Sequence, residues 1–193
     1  MIERSAPYDA AAMETVYAIG QGLGLAVAAG FFSSAPLAVG ASVASMGYTD
    51  GAVSFADDTD IVAALWVLAA IEFVCDAIWP GAEAGARLLR RVIGGGLAFE
   101  LVAGDSLPLV GLAVGAGIAA AVALTLRQIR IRAIRSGGDV RGTAVIEDGT
   151  GIVVSVLGAI PLVGYVLTAV AAVMFARTRR RDQEKYKGLR VLR

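Results

Sequence analysis

The chain has 193 residues, of which 57% are hydrophobic and only 18% charged, with a mean hydropathy of +0.71 and a formal net charge of +0. A soluble domain averages nearer a quarter charged, so the composition excludes an ordinary water-soluble fold and points to a membrane. With no His and a single cysteine, Cys75, an intramolecular disulfide is excluded, and neither a zinc nor a haem centre of the usual ligand types is expected.

The first apolar stretch covers 16–32. The residues before it carry Glu3, Asp9 and Glu14 against Arg4 alone, which is not the basic start of a cleavable signal. It is therefore expected to be a retained membrane helix. The piece PLAVGASVASMG at 36–47 is too short for a full crossing and is expected to be re-entrant or interfacial; if it does cross, the count of spans rises from six to seven and the N-terminus moves to the outside. The loop YTDGAVSFADDTD has no Lys or Arg, and its Asp57, Asp58 and Asp60 either form an acidic outer mouth or a plain solvated loop.

The next stretch, 61–79, contains Glu72 and Asp76, one helical turn apart on one face. Each costs about 2.5–3.5 kcal/mol against hydrocarbon, whereas a Leu, Ile, Phe or Val returns about 0.3–0.6. That face should turn toward protein or a hydrated cavity. A stretch at 92–103 becomes long enough to cross if it begins near Leu88; its Glu100 is expected at the outer interface, and the chain should turn at Asp105, Ser106 and Pro108. The span 107–126 follows and runs into LRQIRIRAIR, where Arg127, Arg130, Arg132 and Arg135 are placed to meet anionic lipid headgroups. The tract 143–176 breaks at 158–161, giving two spans, and the first holds Glu147 and Asp148 near its start. These two either cap a helix N-terminus or join Glu72 and Asp76 in a cluster that shares protons or holds a cation. The basic tail, 177–193, is expected at the membrane surface, with no nucleic-acid role.

All basic residues but Arg4 fall in three clusters: Arg87, Arg90 and Arg91; 127–141; and 177–193. If all three are cytoplasmic, an even number of spans separates them, which gives about six crossings of an inner membrane with the C-terminus inside. The expected fold is thus an all-α polytopic bundle forming a single membrane domain over 1–193. Gly20, Gly22, Gly24 and Gly30, and later Gly111, Gly115 and Gly117, would let its helices approach closely. A weak internal likeness, pairing Gly47 with Gly138, Asp57 with Asp148 and Thr59 with Thr150 at one constant offset, suggests a 3+3 inverted repeat with units 14–104 and 107–178.

The residues IEFVCDAIWP, with an acidic pair and Pro80 closing a span, and the later TAVIEDGTGIVVSVLGAIP resemble a small bacterial integral-membrane family catalogued as domain of unknown function 4126. The likeness covers about residues 14–181 and matches that family's carboxylate pair to Glu72 and Asp76 and its Glu-Asp pair to Glu147 and Asp148. Members often carry a basic residue where this chain has Ala77, so no ion pair within that helix is implied. The resemblance implies a multi-pass membrane protein and no particular activity. The functional expectation is a transporter or channel-like protein with Glu72, Asp76, Glu147 and Asp148 as a proton- or cation-responsive site; the alternative is a non-transporting lipid-binding or assembly protein, with membrane lipids and a second copy as partners. No Ser/His or metal-ligand constellation points to an enzyme.

Overall fold

The computed structural model describes residues 6–47, 58–79, 84–104 and 109–190, and among them there are seven helices and no strand. They are α1 (Ala6–Ala29), α2 (Ala35–Ser45), α3 (Thr59–Ile78), α4 (Ala84–Ala103), α5 (Val110–Arg135), α6 (Val140–Gly158) and α7 (Pro161–Arg190). The break expected at 158–161 is present: α6 ends at Gly158 and Pro161 opens α7, where its missing N–H leaves no bond unmade. Asp57, Pro80 and the turn at Asp105, Ser106 and Pro108 lie outside the described residues.

Local chemistry fixes the helix starts. Asp58 accepts a hydrogen bond from the Asp60 amide at 2.9 Å and caps α3, and Asp139 accepts from the Arg141 and Gly142 amides and caps α6. Asp58 and Asp60 are exposed at the start of α3, where capping and the helix dipole account for both.

Neighbouring contacts give the helix directions. Gly22 lies against Phe99, and Gly94 against Ser33, so α4 runs opposite to α1; Gly24 faces Gly158 while Gly151 faces Phe32, so α6 does too. Gly95 faces Ala119, and Gly30 faces Val122, which sets α5 parallel to α1. α7 begins against Gly20 and reaches Met174 beside Phe31, again parallel. We call the end where α3 finishes and α4 begins the basal end. α1 therefore starts at the apical end and α7 finishes at the basal one, which differs from the six-span expectation of both termini on one side. The reason is α2. Its 11 residues span only about 16 Å, yet they reverse the chain after α1 and pack beside α3, where the Trp66 indole donates to Ser42 Oγ at 3.1 Å.

Among the described residues three helices, not six, are both long and apolar enough to cross a membrane: α3, α5 and the 161–181 part of α7. α4 fails on charge, with Arg87, Arg90, Arg91 and Glu100, and α6 likewise with Arg141, Glu147 and Asp148. α1 is diluted by Glu14, Gln21 and its glycines. The physical order is consistent: α1 packs against α2, α4, α5, α6 and α7, while α3 and α7 expose Val67, Ile71, Val74, Leu162, Val166 and Val170. Polar helices sit inside and apolar ones outside, as hydrocarbon surroundings require.

The core is small. Leu25, Val39, Leu101 and Val102 fill the space between α1, α2 and α4, and Phe32 meets Phe73 edge-to-face at 6.5 Å between ring centroids.

The inverted repeat does not describe these helices. Thr59 opens α3, whereas its partner Thr150 lies in the middle of α6. α2 and α5 do both end just before a glycine with positive φ, Gly47 at 72° and Gly137 at 90°, but the constant offset pairs Gly47 with Gly138 and so does not align these two C-caps.

Candidate functional site

All four carboxylates singled out by cost meet at the basal end. The i, i+4 spacing of Glu72 and Asp76 on α3 aims both inward, and both are buried. Arg87 and Arg91 have the same spacing on α4 and are buried too, while Arg90 between them stays 45% exposed. Arg87 and Arg90 both donate to Asp76 Oδ1, at 3.0 and 3.3 Å. Arg90 also lies 3.6 Å from Glu72 Oε1. Arg91 donates to Glu147 Oε1 at 2.6 Å and to Asp148 Oδ1 at 3.5 Å, so one guanidinium spans both acids of α6. Arg130 of α5 closes the network on Glu147 Oε2.

Four carboxylates thus face four guanidiniums, and the cluster sums to zero. Balance matters because an isolated charge removed from water costs several kcal/mol, and only matched partners make burial tolerable. Glu72 has a second set of partners: Ser33 Oγ, Ser34 Oγ and the Ser34 amide, the last at 3.0 Å, all donate to it. It thereby supplies the negative charge favoured at the N-terminus of α2, where the Ser34 side chain makes no cap of its own.

The backbone arrangement around the network is open. Among the described residues α3 packs on α2 and α6, α4 packs on α1, α2 and α5, and neither α3 with α4 nor α4 with α6 comes into backbone contact. Arginine side chains bridge those gaps. Several polar atoms in them have no protein partner: Asp76 Oδ2 and the Nε atoms of Arg87, Arg91 and Arg130. Buried polar groups left over in this way are the usual sites of internal water. From the helix rise, the network lies within about 10 Å of the basal helix ends, close enough for solvent to reach it past Arg90.

The other sequence candidates separate. Arg127 and Arg135 are exposed and Arg132 half-buried on α5, but Arg130 is turned into the network and is not available to lipid. Glu147 and Asp148 sit well inside α6, and Asp139 caps that helix, so the capping reading of the pair is excluded. Glu100 is only half-buried, near Gly104 and Gly111 at the apical end of α4.

Sequence reasoning missed Arg87, Arg90, Arg91 and the Ser33-Ser34 pair. The arginines were read as loop charges marking the inner face, although Arg87 and Arg91 share one face of the stretch that needed extension below Leu88 to become a span. Compared with models of known families, with curated proteins and with solved structures, the chain matches none.

Proposed function

We propose that this is a small inner-membrane transporter or channel-like protein whose basal network is a proton-responsive gate. The basal end carries the arginine clusters and by the positive-inside rule faces the cytoplasm. The observation that carries the reading is the combination of ion pairs with open backbone: α3 and α6 are held to α4 by guanidinium–carboxylate pairs and not by packing. A proton taken up by one carboxylate removes its attraction for arginine and leaves a buried cation uncompensated, which favours separation of the helices. Protons suit this site better than metal cations, because each of the four carboxylates already has a guanidinium against it, and a cation would have to enter beside those positive charges. Glu72 is the best-placed trigger: it is linked to exposed Arg90 and to the α1–α2 turn at once.

The test is proton flux in vesicles under an imposed gradient, followed as a function of the pH on the basal side. Wild-type flux should rise with acidification, and Glu72→Gln, which keeps the serine contacts but cannot titrate, should remove that dependence. A Glu72→Gln protein with the wild-type pH profile would reject the gate.

The second reading, a non-transporting assembly protein, is favoured by one observation: every carboxylate already has a guanidinium partner, so the network is complete as a clamp. Wild-type vesicles that are proton-tight at every pH would select it.

A further inference from the structure

The geometry points to a seat for one anionic phospholipid on the outer face of the bundle, between α5 and α7. It stands apart from the gate, with which it shares no residue. A groove of about 310 Å³ runs between these helices, floored by Ala113, Gly117, Ala121, Ala171 and Ala172 and ending at Phe175. It is open space at its centre: a Cβ placed on Gly117 would meet nothing within 4 Å, whereas one on Gly115, two residues away, would run into the Gly95 backbone and Phe99. Gly117 therefore does not serve a helix contact in this bundle, although it belongs to the run of glycines whose other members do.

The occupant is identified by what lies at the two ends. On α5 the groove reaches from Ala113 to Val122, about 14 Å along the axis, and its wall is apolar apart from Thr168, whose hydroxyl is taken up by the Gly164 carbonyl, which fits one extended acyl chain. At the basal limit the Arg179 guanidinium sits over the Phe175 ring, 5.2 Å from its centroid, and is exposed on its outer side. The groove face of α5 continues past Ala121 to Gln128 and Arg132 by helical spacing. Both helices run the same way, so Arg179 and the last turn of α5 arrive at the same end of the groove, and Arg179 is an exposed cation there. An apolar slot that ends on basic side chains at the depth of the interface is complementary to a lipid with a hydrocarbon tail and a phosphate carrying net negative charge. A second copy of the chain would offer an apolar helix to the slot but would bring its own basic residues against Arg179.

The test uses the full chain in nanodiscs of equal parts phosphatidylcholine and phosphatidylglycerol, released into the gas phase for native mass spectrometry. One phosphatidylglycerol is expected to remain bound in preference to phosphatidylcholine. Arg179→Gln should reduce that preference about five-fold, the effect of about one basic residue at a membrane surface. Gly117→Leu should remove the bound lipid of either kind while leaving the melting temperature unchanged or higher. Equal retention of the two lipids by wild type, or undiminished phosphatidylglycerol in both variants, overturns the assignment. So does a wild-type dimer that Gly117→Leu converts to monomer, since the slot would then hold a second copy. Arg179 lies outside the packed bundle, so its variant decides the question if Gly117→Leu does not fold.

Discussion

The apical and basal halves of this bundle are joined by opposite means. At the apical end α1, α6 and α7 meet along Gly20, Gly24, Gly158 and Gly164, where a Cβ on any of the four would collide with a facing backbone. At the basal end α4 stands apart from α3 and α6, and arginines reach across. Hydrocarbon gives no hydrophobic drive for helices to associate, so close backbone contact and charge pairing are the two substitutes available. The first is rigid and indifferent to pH. The second can be switched by a proton, and it is placed where solvent can deliver one.

The comparison can be broken most directly at Arg91. Arg91→Gln leaves Glu147 and Asp148 without their shared partner, and loss of one member of a buried pair costs about 3–5 kcal/mol. Thermal unfolding in detergent should show it as the largest single effect, and a drop no bigger than that of a surface change would mean that the basal end is not held by charge. At the apical end, Gly24→Val forces a side chain into the Gly158 backbone, with an expected loss of about 1–3 kcal/mol. Gly22→Ala, which meets only the Phe99 ring at 3.1 Å, should be far milder. The contrast between these two substitutions measures how much of the apical join is backbone against backbone.

Smaller effects sharpen the picture. Glu72→Gln keeps its serine partners and gives up the attraction of a half-exposed Arg90, so about 1 kcal/mol of stability should go. If it instead unfolds the protein, Glu72 is a clamp and the gate reading weakens. The smallest effect concerns Asp139, exposed between α5 and α6. Hydrogen bonds from the Gly142 and then the Arg141 amides hold its carboxyl below the ordinary 3.8. Because the folded value is the lower one, its contribution is complete above the ordinary range and fades as pH falls through the folded value. Asp139→Asn should flatten the acid end of the stability profile, with a small loss at neutral pH that disappears below the folded value, as melts across that range would show.

Much of the site could be read from the residues. Four acids too expensive to face lipid had to converge on something polar, and that argument located Glu72, Asp76, Glu147 and Asp148 without coordinates. It could not say what they would meet. Charge along the chain suggests a membrane face for Arg87, Arg90 and Arg91, but the same three residues are partners for the acids, and only the register between α3, α4 and α6 decides that. The fold was legible where local chemistry dictates it, as at Pro161 and Asp58. It was less so where a short apolar piece can reverse the chain: PLAVGASVASMG reads as a re-entrant or interfacial piece, but nothing in it says that α2 changes the direction of everything after it. The count of spans failed for a related reason. Hydropathy reads each helix as if it faced lipid alone, whereas α4 and α6 are shielded by their neighbours.

The double attachment of α2 to α3 has a mechanical consequence. Glu72 holds one end of the short helix through Ser33 and Ser34, and Trp66 holds a point two turns further along through Ser42. The pair is a single lever, and residues 30–34 form its fulcrum. A swing of α3 away from the rest would therefore have to draw α2 out of its packing against α4 or break both attachments together.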